Sequence, residues 1–233
     1  GIVVHETAGL AALTIAFFLG PRRDKNKPPH NPGMVMIGAA MLWVGWFGFN
    51  GGSQLAADGG AALAITVTHI SAATASISWA AWEKVKYGKA SLVGMVTGTI
   101  AGLASITPAS GFVGPIEALI IGLIAGILCQ EGTIFIKKNI NIDDTLDVFA
   151  VHGLGGIFGT IMISLLALAG FENGSSFISQ IGGILIVGVY TIVVTAILIL
   201  VIKQFVPLRV SEEIETEGLD LSEHGEKAYD FRS

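Results

Sequence analysis

FISQIGGILIVGVYTIVVTAILILVI, residues 177–202, holds no charged side chain from Phe177 to Ile202. A helix crosses the hydrocarbon of a bilayer with roughly 20 apolar residues, so this run is long enough to span it. Transmembrane β-strands would instead leave alternating runs of about 10 residues, and none is present. Working outward toward the N-terminus, six more apolar runs qualify or nearly qualify: Gly1–Gly20, Gly33–Asn50, Ala61–Trp82, Ser91–Ile106, Pro115–Phe135 and Leu146–Ala169. The fourth is short. The expectation is an all-α, polytopic membrane protein with seven transmembrane helices across 1–203, followed by a hydrophilic segment across 204–233.

Composition agrees. The chain has 233 residues, 52% hydrophobic and 13% charged, with a mean hydropathy of +0.71. A soluble domain carries about 25% charged residues. The deficit excludes a cytosolic globular enzyme, a nucleic-acid binder with a basic face and a disordered chain. The single cysteine, Cys129, excludes a disulfide framework and a cysteine zinc site. Glycine numbers 31, in keeping with helices whose backbones approach closely in a membrane.

Charge gives direction. From Val210 onward, eight acids face two bases, Lys227 and Arg232, while the rest of the chain is nearly balanced. The acidity therefore belongs to the tail. Arg22, Arg23, Lys25 and Lys27 lie in the first connection, Lys84, Lys86 and Lys89 in the third, and Lys137 and Lys138 in the fifth. Lys203 and Arg209 follow the last run, whereas the second, fourth and sixth connections carry no base. All thirteen bases thus fall on one side, which the positive-inside rule makes cytoplasmic, C-terminus included. Residue 1 would then lie outside. Because the chain starts within an apolar run, the expectation is a segment cut from a longer protein.

Ionisable groups within the membrane are costly and mark function by default. His5, Glu6, His69 and His152 are the candidates. Val4-His5-Glu6-Thr7-Ala8-Gly9 and Val151-His152-Gly153-Leu154-Gly155-Gly156 share a V-H-x-x-[AG]-G pattern on the first and sixth helices. These two helices run in opposite directions, as in an inverted repeat whose site lies at the repeat interface. Two imidazoles there can share a proton, one donating and the other accepting; the alternative is two separate packing histidines. His69 has no matching repeat and reads as structural. The role of Glu6 is open. Trp43, Trp46, Phe47 and Phe49 read either as an interfacial belt or as a vestibule whose ring faces attract a cation.

Val4-His5, Gly45-Trp46-Phe47-Gly48-Phe49-Asn50-Gly51-Gly52-Ser53, Thr107-Pro108-Ala109-Ser110-Gly111, the run from Asp143-Asp144 through Asp147-Val148-Phe149 to Val151-His152-Gly153, and a tail running from Glu217-Gly218-Leu219-Asp220 to Tyr229 resemble the ammonium transporter (Amt/Mep/Rh) family, Amt branch, in family order along the whole chain. The resemblance implies an eleven-helix inverted-repeat fold, of which this chain would supply helices five to eleven, and a homotrimer in the cell membrane with one pore per subunit. It implies transport of ammonium or methylammonium, with no enzymatic activity, cofactor, metal or nucleic-acid partner. Carried over by motif, His5 and His152 resemble the twin histidines of the pore, Phe49 half of its phenylalanine gate and Ser53 the recruiting hydroxyl. Leu42, Trp46, Ile100 and Val148 resemble the apolar lining, and Asp147 a structural carboxylate at the start of its helix. Gly218, Leu219, Asp220, Glu223, His224, Gly225, Glu226 and Tyr229 resemble the regulatory tail, whose face meets a PII-type nitrogen-regulatory protein in the family. The first four helices, the second gate phenylalanine and the recruiting tryptophan have no counterpart here. An ammonium sensor is the alternative, although such proteins usually add a signalling domain after the last helix. An intramembrane enzyme is disfavoured, because no serine, cysteine or metal-ligand partner stands at a motif spacing from either histidine.

Overall fold

The computed structural model describes residues 1–23, 28–168, 176–227 and 229. Lys25, Lys27, Ala169, Ala228 and Arg232, with residues 170–175 of the sixth connection, lie outside the described residues. Among the described residues there is no strand.

Among the described residues, six helices are long and apolar enough to cross a membrane: α1 (Ile2–Leu19), α2 (Pro32–Gly52), α3 (Gly59–Tyr87), α5 (Pro115–Ile140), α6 (Phe149–Leu166) and α7 (Phe177–Ile202). The seventh apolar helix, α4 (Leu92–Ile106), has 15 residues, about 22 Å at 1.5 Å per residue. Its shortness is tolerated because Ala101–Ile106 is buried, and the turn that follows is sheltered among α3, α5 and α6. Irregular backbone at membrane depth survives only in such protein-lined surroundings. Two short helices, α8 (Glu212–Glu217) and α9 (Leu219–His224), form the tail.

The helix starts are written in local chemistry. Asn31 caps α2, accepting from Met34 N at 3.0 Å with Pro32 in the first turn. Asp58 accepts from Gly60 N and Ala61 N to start α3, and Ser91 accepts from Gly94 N to start α4. Gly88 ends α3 at φ 78°, a left-handed closure that costs glycine little. Several boundaries differ from the sequence reading. The caps and the snorkelling stems of Lys84 and Lys86 carry α3 past the apolar run at both ends, and α5 continues through Lys137 and Lys138 to Ile140. The sixth helix begins at Phe149 rather than Leu146, because Asp147 takes a left-handed φ of 57°.

The bundle is built around α3, which packs against α4, α5 and α2. Its small-residue face (Ser71, Ala72, Ala75, Ser78) meets glycines. A Cβ added at Gly102 or Gly122 would stand 2.5 Å from the Ser71 carbonyl oxygen, and one at Gly126 2.5 Å from that of Ala75. Without a hydrophobic driving force between helices in lipid, this backbone proximity supplies the packing. Glu131, an acid on α5 that hydropathy passes over, is held at the end of the bundle. It accepts from Trp82 Nε1 at 2.5 Å and Lys86 Nζ at 2.6 Å.

At the same end the tail lies on the first connection. Arg23 N donates to Glu215 Oε1 at 2.8 Å, and the Arg23 guanidinium donates to Thr216 Oγ1. Arg209 clasps Glu215 Oε2 at 2.6 Å and donates to the Pro21 carbonyl. Tyr229 sits edge-on to His30, its hydroxyl accepting from Asn31 Nδ2. Gly218 (φ 107°) and Gly225 (φ 68°) provide the turns, and Glu226 N closes α9 onto the Asp220 carbonyl. Leu219, Glu223, His224 and Glu226 are on the surface of this segment, Leu219 at the rim of a cavity beneath it.

Candidate functional site

Both histidines stand in π-helical turns, Ile2–Glu6 opening α1 and Phe149–Leu154 opening α6. A π turn adds a residue to the ladder, and such turns recur at functional sites. Each opens directly into regular helix. The pairing glycines of the repeated motif explain the crossing. A Cβ on Gly9 would stand 2.3 Å from Gly153 Cα, and one on Gly156 2.8 Å from His5 Cβ. Each glycine, four residues after its own histidine, thus admits the other helix's histidine turn.

The rings meet as a result. His5 Nδ1 and His152 Nδ1 are 3.1 Å apart, with centroids at 5.3 Å and planes within 19°. One nitrogen of this contact donates and the other accepts, so a single hydrogen joins the rings. Trp46 stacks on His5 at 5.3 Å and 9°, and Phe49 meets the same ring edge-on at 6.2 Å. The Trp46 indole is fixed in turn: its Nε1 donates to Thr107 Oγ1 at 2.8 Å, and Thr107 donates to the Leu103 carbonyl. Trp46 is therefore buried against the pair rather than placed in an interfacial belt. Trp43 and Phe47 pack instead on His69, in line with a structural role for that histidine.

These groups line a cavity of about 580 Å³. Leu42, Trp46 and Phe49 come from α2, Val148 from the approach to α6, and His5 and His152 from the two π turns; Val4, Ala8, Met41 and Gly45 complete it. Of the last four, Val4, Ala8 and Gly45 stood in the motifs without being read as lining, and Met41 lay outside them. Met41, Leu42, Gly45, Trp46 and Phe49 nonetheless follow one helical face, a spacing that was available. Ile100 stands behind this wall, packed in the cluster of Trp46, Ala72 and Leu103. Ser53 lies one turn beyond Phe49, exposed, its hydroxyl donating to the Phe49 carbonyl at 2.6 Å.

At the start of α6 the capping carboxylate is Asp144, which accepts from Val148 N at 3.0 Å and Phe149 N at 2.8 Å. Asp147 offers its carbonyl to Val151 N, while its side chain pairs with Lys137 Nζ at 2.6 Å. Burial pushes the Asp147 carboxyl above its ordinary range, and the Lys137 ammonium pulls it back. Asp143 holds Arg22 through the backbone N and the guanidinium. This end of the site is therefore a charge-locked collar.

Residues 1–229 match the model of the Ammonium Transporter Family. The chain is 44% identical over 240 residues to a putative ammonium transporter of Methanothermobacter thermautotrophicus, covering 98% of this chain and 59% of that protein. It is 45% identical over 241 residues to the ammonium transporter Amt1 of Archaeoglobus fulgidus, covering 98% and 61%. The chain thus spans less than two thirds of the length of these relatives. Among solved structures, that of a protein named Sensor Amt Protein superposes with a TM-score of 0.88 at 34% identity, over 95% of this chain and 58% of that one. Mep2 of Saccharomyces cerevisiae superposes with a TM-score of 0.80 at 33% identity, over 91% and 54%.

Proposed function

Because this chain belongs to the ammonium transporter family, we propose that the protein of which it forms the histidine-bearing helices carries ammonium across a membrane. The observation that carries the reading is the His5–His152 pair, joined at Nδ1 and set in an apolar cavity under Trp46 and Phe49. A permanent cation entering such a lining loses its hydration without a compensating charge, a cost of several kcal/mol. Ammonium alone among similar-sized cations escapes that cost, since it can release a proton and cross as ammonia.

In this reading, ammonium arrives at the Ser53 end and is held by the ring faces near Phe49 and Trp46. It gives its proton to the imidazole pair, and the neutral ammonia continues past Val148. The twin rings pass the proton on through their shared hydrogen. Ser53, Phe49, His5, His152, Leu42, Trp46 and Val148 act as recruiter, gate, relay and wall, and Ile100 backs that wall. The base-rich end with the tail is cytoplasmic, and the assembly is a homotrimer in the cell membrane. The tail, docked on Arg23 and on Arg209, couples the cytoplasmic mouths, and a PII-type protein is its partner. The curated relatives are named transporters, and this favours flux over the sensing role that the name of one structural neighbour carries.

The test is His152→Ala in the intact protein, with His69→Ala beside it. Methylammonium uptake should be lost in the first and kept in the second, with both proteins inserted in the membrane. Wild-type uptake by a membrane-inserted His152→Ala protein refutes the relay.

A further inference from the structure

Glu6 follows His5 in the same π turn but points the other way. It is 1% exposed, and neither carboxyl oxygen has a hydrogen-bond partner among the described residues. The side chain is aimed at α7, where Gly188 leaves room for it. A Cβ at Gly188 would stand 2.9 Å from Glu6 Oε1 and 3.3 Å from Leu10 Cδ1. A buried, unpartnered carboxyl inside a membrane bundle is costly, and hydrophobic packing at this crossing would be served by any apolar side chain. Its neighbours offer a specific use.

The elements packed against this turn carry few charges. α2 has no titratable side chain, α7 contributes only Tyr190, which is exposed, and α6 contributes His152, on which the Asp144 carboxylate at the start of that helix also acts. On its own helix the other titratable side chain is His5. The histidine pair is thus the ionisable system that Glu6 adjoins. A relay that accepts a proton becomes an imidazolium in a medium that punishes isolated charge.

We propose that Glu6 is the counter-charge of the histidine pair, a positioning residue that offsets the imidazolium formed when the relay takes a proton. This rests on the transport reading above. The step balances without an atom from Glu6. Ammonium loses one proton and becomes ammonia, the pair gains that proton at one ring, and it releases one from the other ring. The carboxylate exchanges nothing. It makes the charged pair less costly from a side chain's remove, and Gly188 lets it sit there. The second half of the repeat has Gly153 in the corresponding place after His152, so Glu6 has no twin on α6, and the carboxylate that acts on His152 from its own side is Asp144.

The experiment measures methylammonium uptake against external pH in cells expressing the intact protein, for wild type, Glu6→Gln and Glu6→Asp. Glu6→Gln keeps the shape but not the charge. Its uptake should fall roughly tenfold at neutral pH, which corresponds to a loss of about 1.4 kcal/mol of charge stabilisation. Without the carboxylate the pair holds a proton only at lower pH, so the deficit should narrow as the medium is acidified. Glu6→Asp should restore the wild-type profile. A Glu6→Gln profile that superposes on wild type overturns the proposal, as does equal loss in Gln and Asp with no change of shape, which marks packing alone. Gly188→Ala is the second variant, because its methyl displaces the carboxyl without removing it. The same shift toward acid is expected there, and an unshifted profile again overturns the counter-charge. A wild-type protein that carries no methylammonium or ammonium refutes the transport reading, and the counter-charge falls with it.

Discussion

Gly9→Ala is the sharpest perturbation of the site that removes no functional side chain. The new methyl would start 2.3 Å from Gly153 Cα and 2.4 Å from Gly153 N, whereas ordinary carbon contacts begin near 3.4 Å. The obstacle is backbone on both sides, so no side chain can swing away. The two histidine turns must part by the difference between 2.3 and 3.4 Å, about 1.1 Å. Gly153 is bonded to His152, and that movement carries the Nδ1–Nδ1 contact from 3.1 Å to beyond the hydrogen-bonding limit. A misplacement of about 1 Å at reacting groups costs on the order of 100-fold in rate, and the overpacking itself costs about 1–3 kcal/mol. Initial rates of methylammonium uptake, normalised to inserted protein, read the first effect; thermal unfolding in detergent reads the second. Gly182→Ala, whose methyl meets nothing within 4 Å, is the control and should match wild type in both. A Gly9→Ala protein that inserts and transports at the wild-type rate would refute the argument that this glycine pair sets the spacing of the rings.

Three further outcomes are expected. Thr107→Val removes the acceptor of the Trp46 indole while keeping its volume; about 1 kcal/mol of orientation is lost and uptake should fall roughly fivefold, so an unchanged rate would show that stacking alone holds Trp46. The Arg23 backbone N–H, followed by the Arg209 guanidinium, holds Glu215 below its ordinary range. Its contribution to tail docking is therefore present above the usual carboxylate value and lost as pH falls through the lowered one; protease protection of the tail in inside-out vesicles should follow that course, and identical protection in Glu215→Gln at neutral pH would contradict it. In a Cys129→Ser background, a cysteine at Lys86 should resist an impermeant thiol reagent in whole cells while one at Ala57 reacts, and the reverse pattern would invert the topology.

The helices and their grouping were legible because hydropathy and charge act over long windows: the uncharged run at 177–202 and the lysines of alternate connections need no tertiary knowledge. The histidine pair was legible as a repeated motif, since the same V-H and glycine spacing appears twice. The π turns carrying those histidines were not, because a one-residue change of period over five or six residues leaves no mark on composition. The cap of α6 illustrates the other limit. Asp144 and Asp147 are three residues apart and chemically equal, and the left-handed backbone at Asp147, invisible in the sequence, gives the cap to Asp144 and leaves Asp147 to Lys137. Thr107 stands in one of the family motifs, yet its hold on Trp46 spans 61 positions, a separation that local patterning cannot read.

The joining of the two rings through like nitrogens has an effect on timing. With one hydrogen between Nδ1 and Nδ1, a neutral pair has two arrangements, differing in which ring owns it. A proton that enters at one outer nitrogen and leaves from the opposite one shifts the shared hydrogen across. The pair is then left as the mirror image of its starting state, with the bare outer nitrogen now on the exit ring. Ring rotation, which would restore it, is blocked by Trp46 on one face and by the bond itself. In the relay proposed above, the dyad would therefore keep the direction of its last passage, and a second proton in the same direction would wait until the first arrangement had been written back.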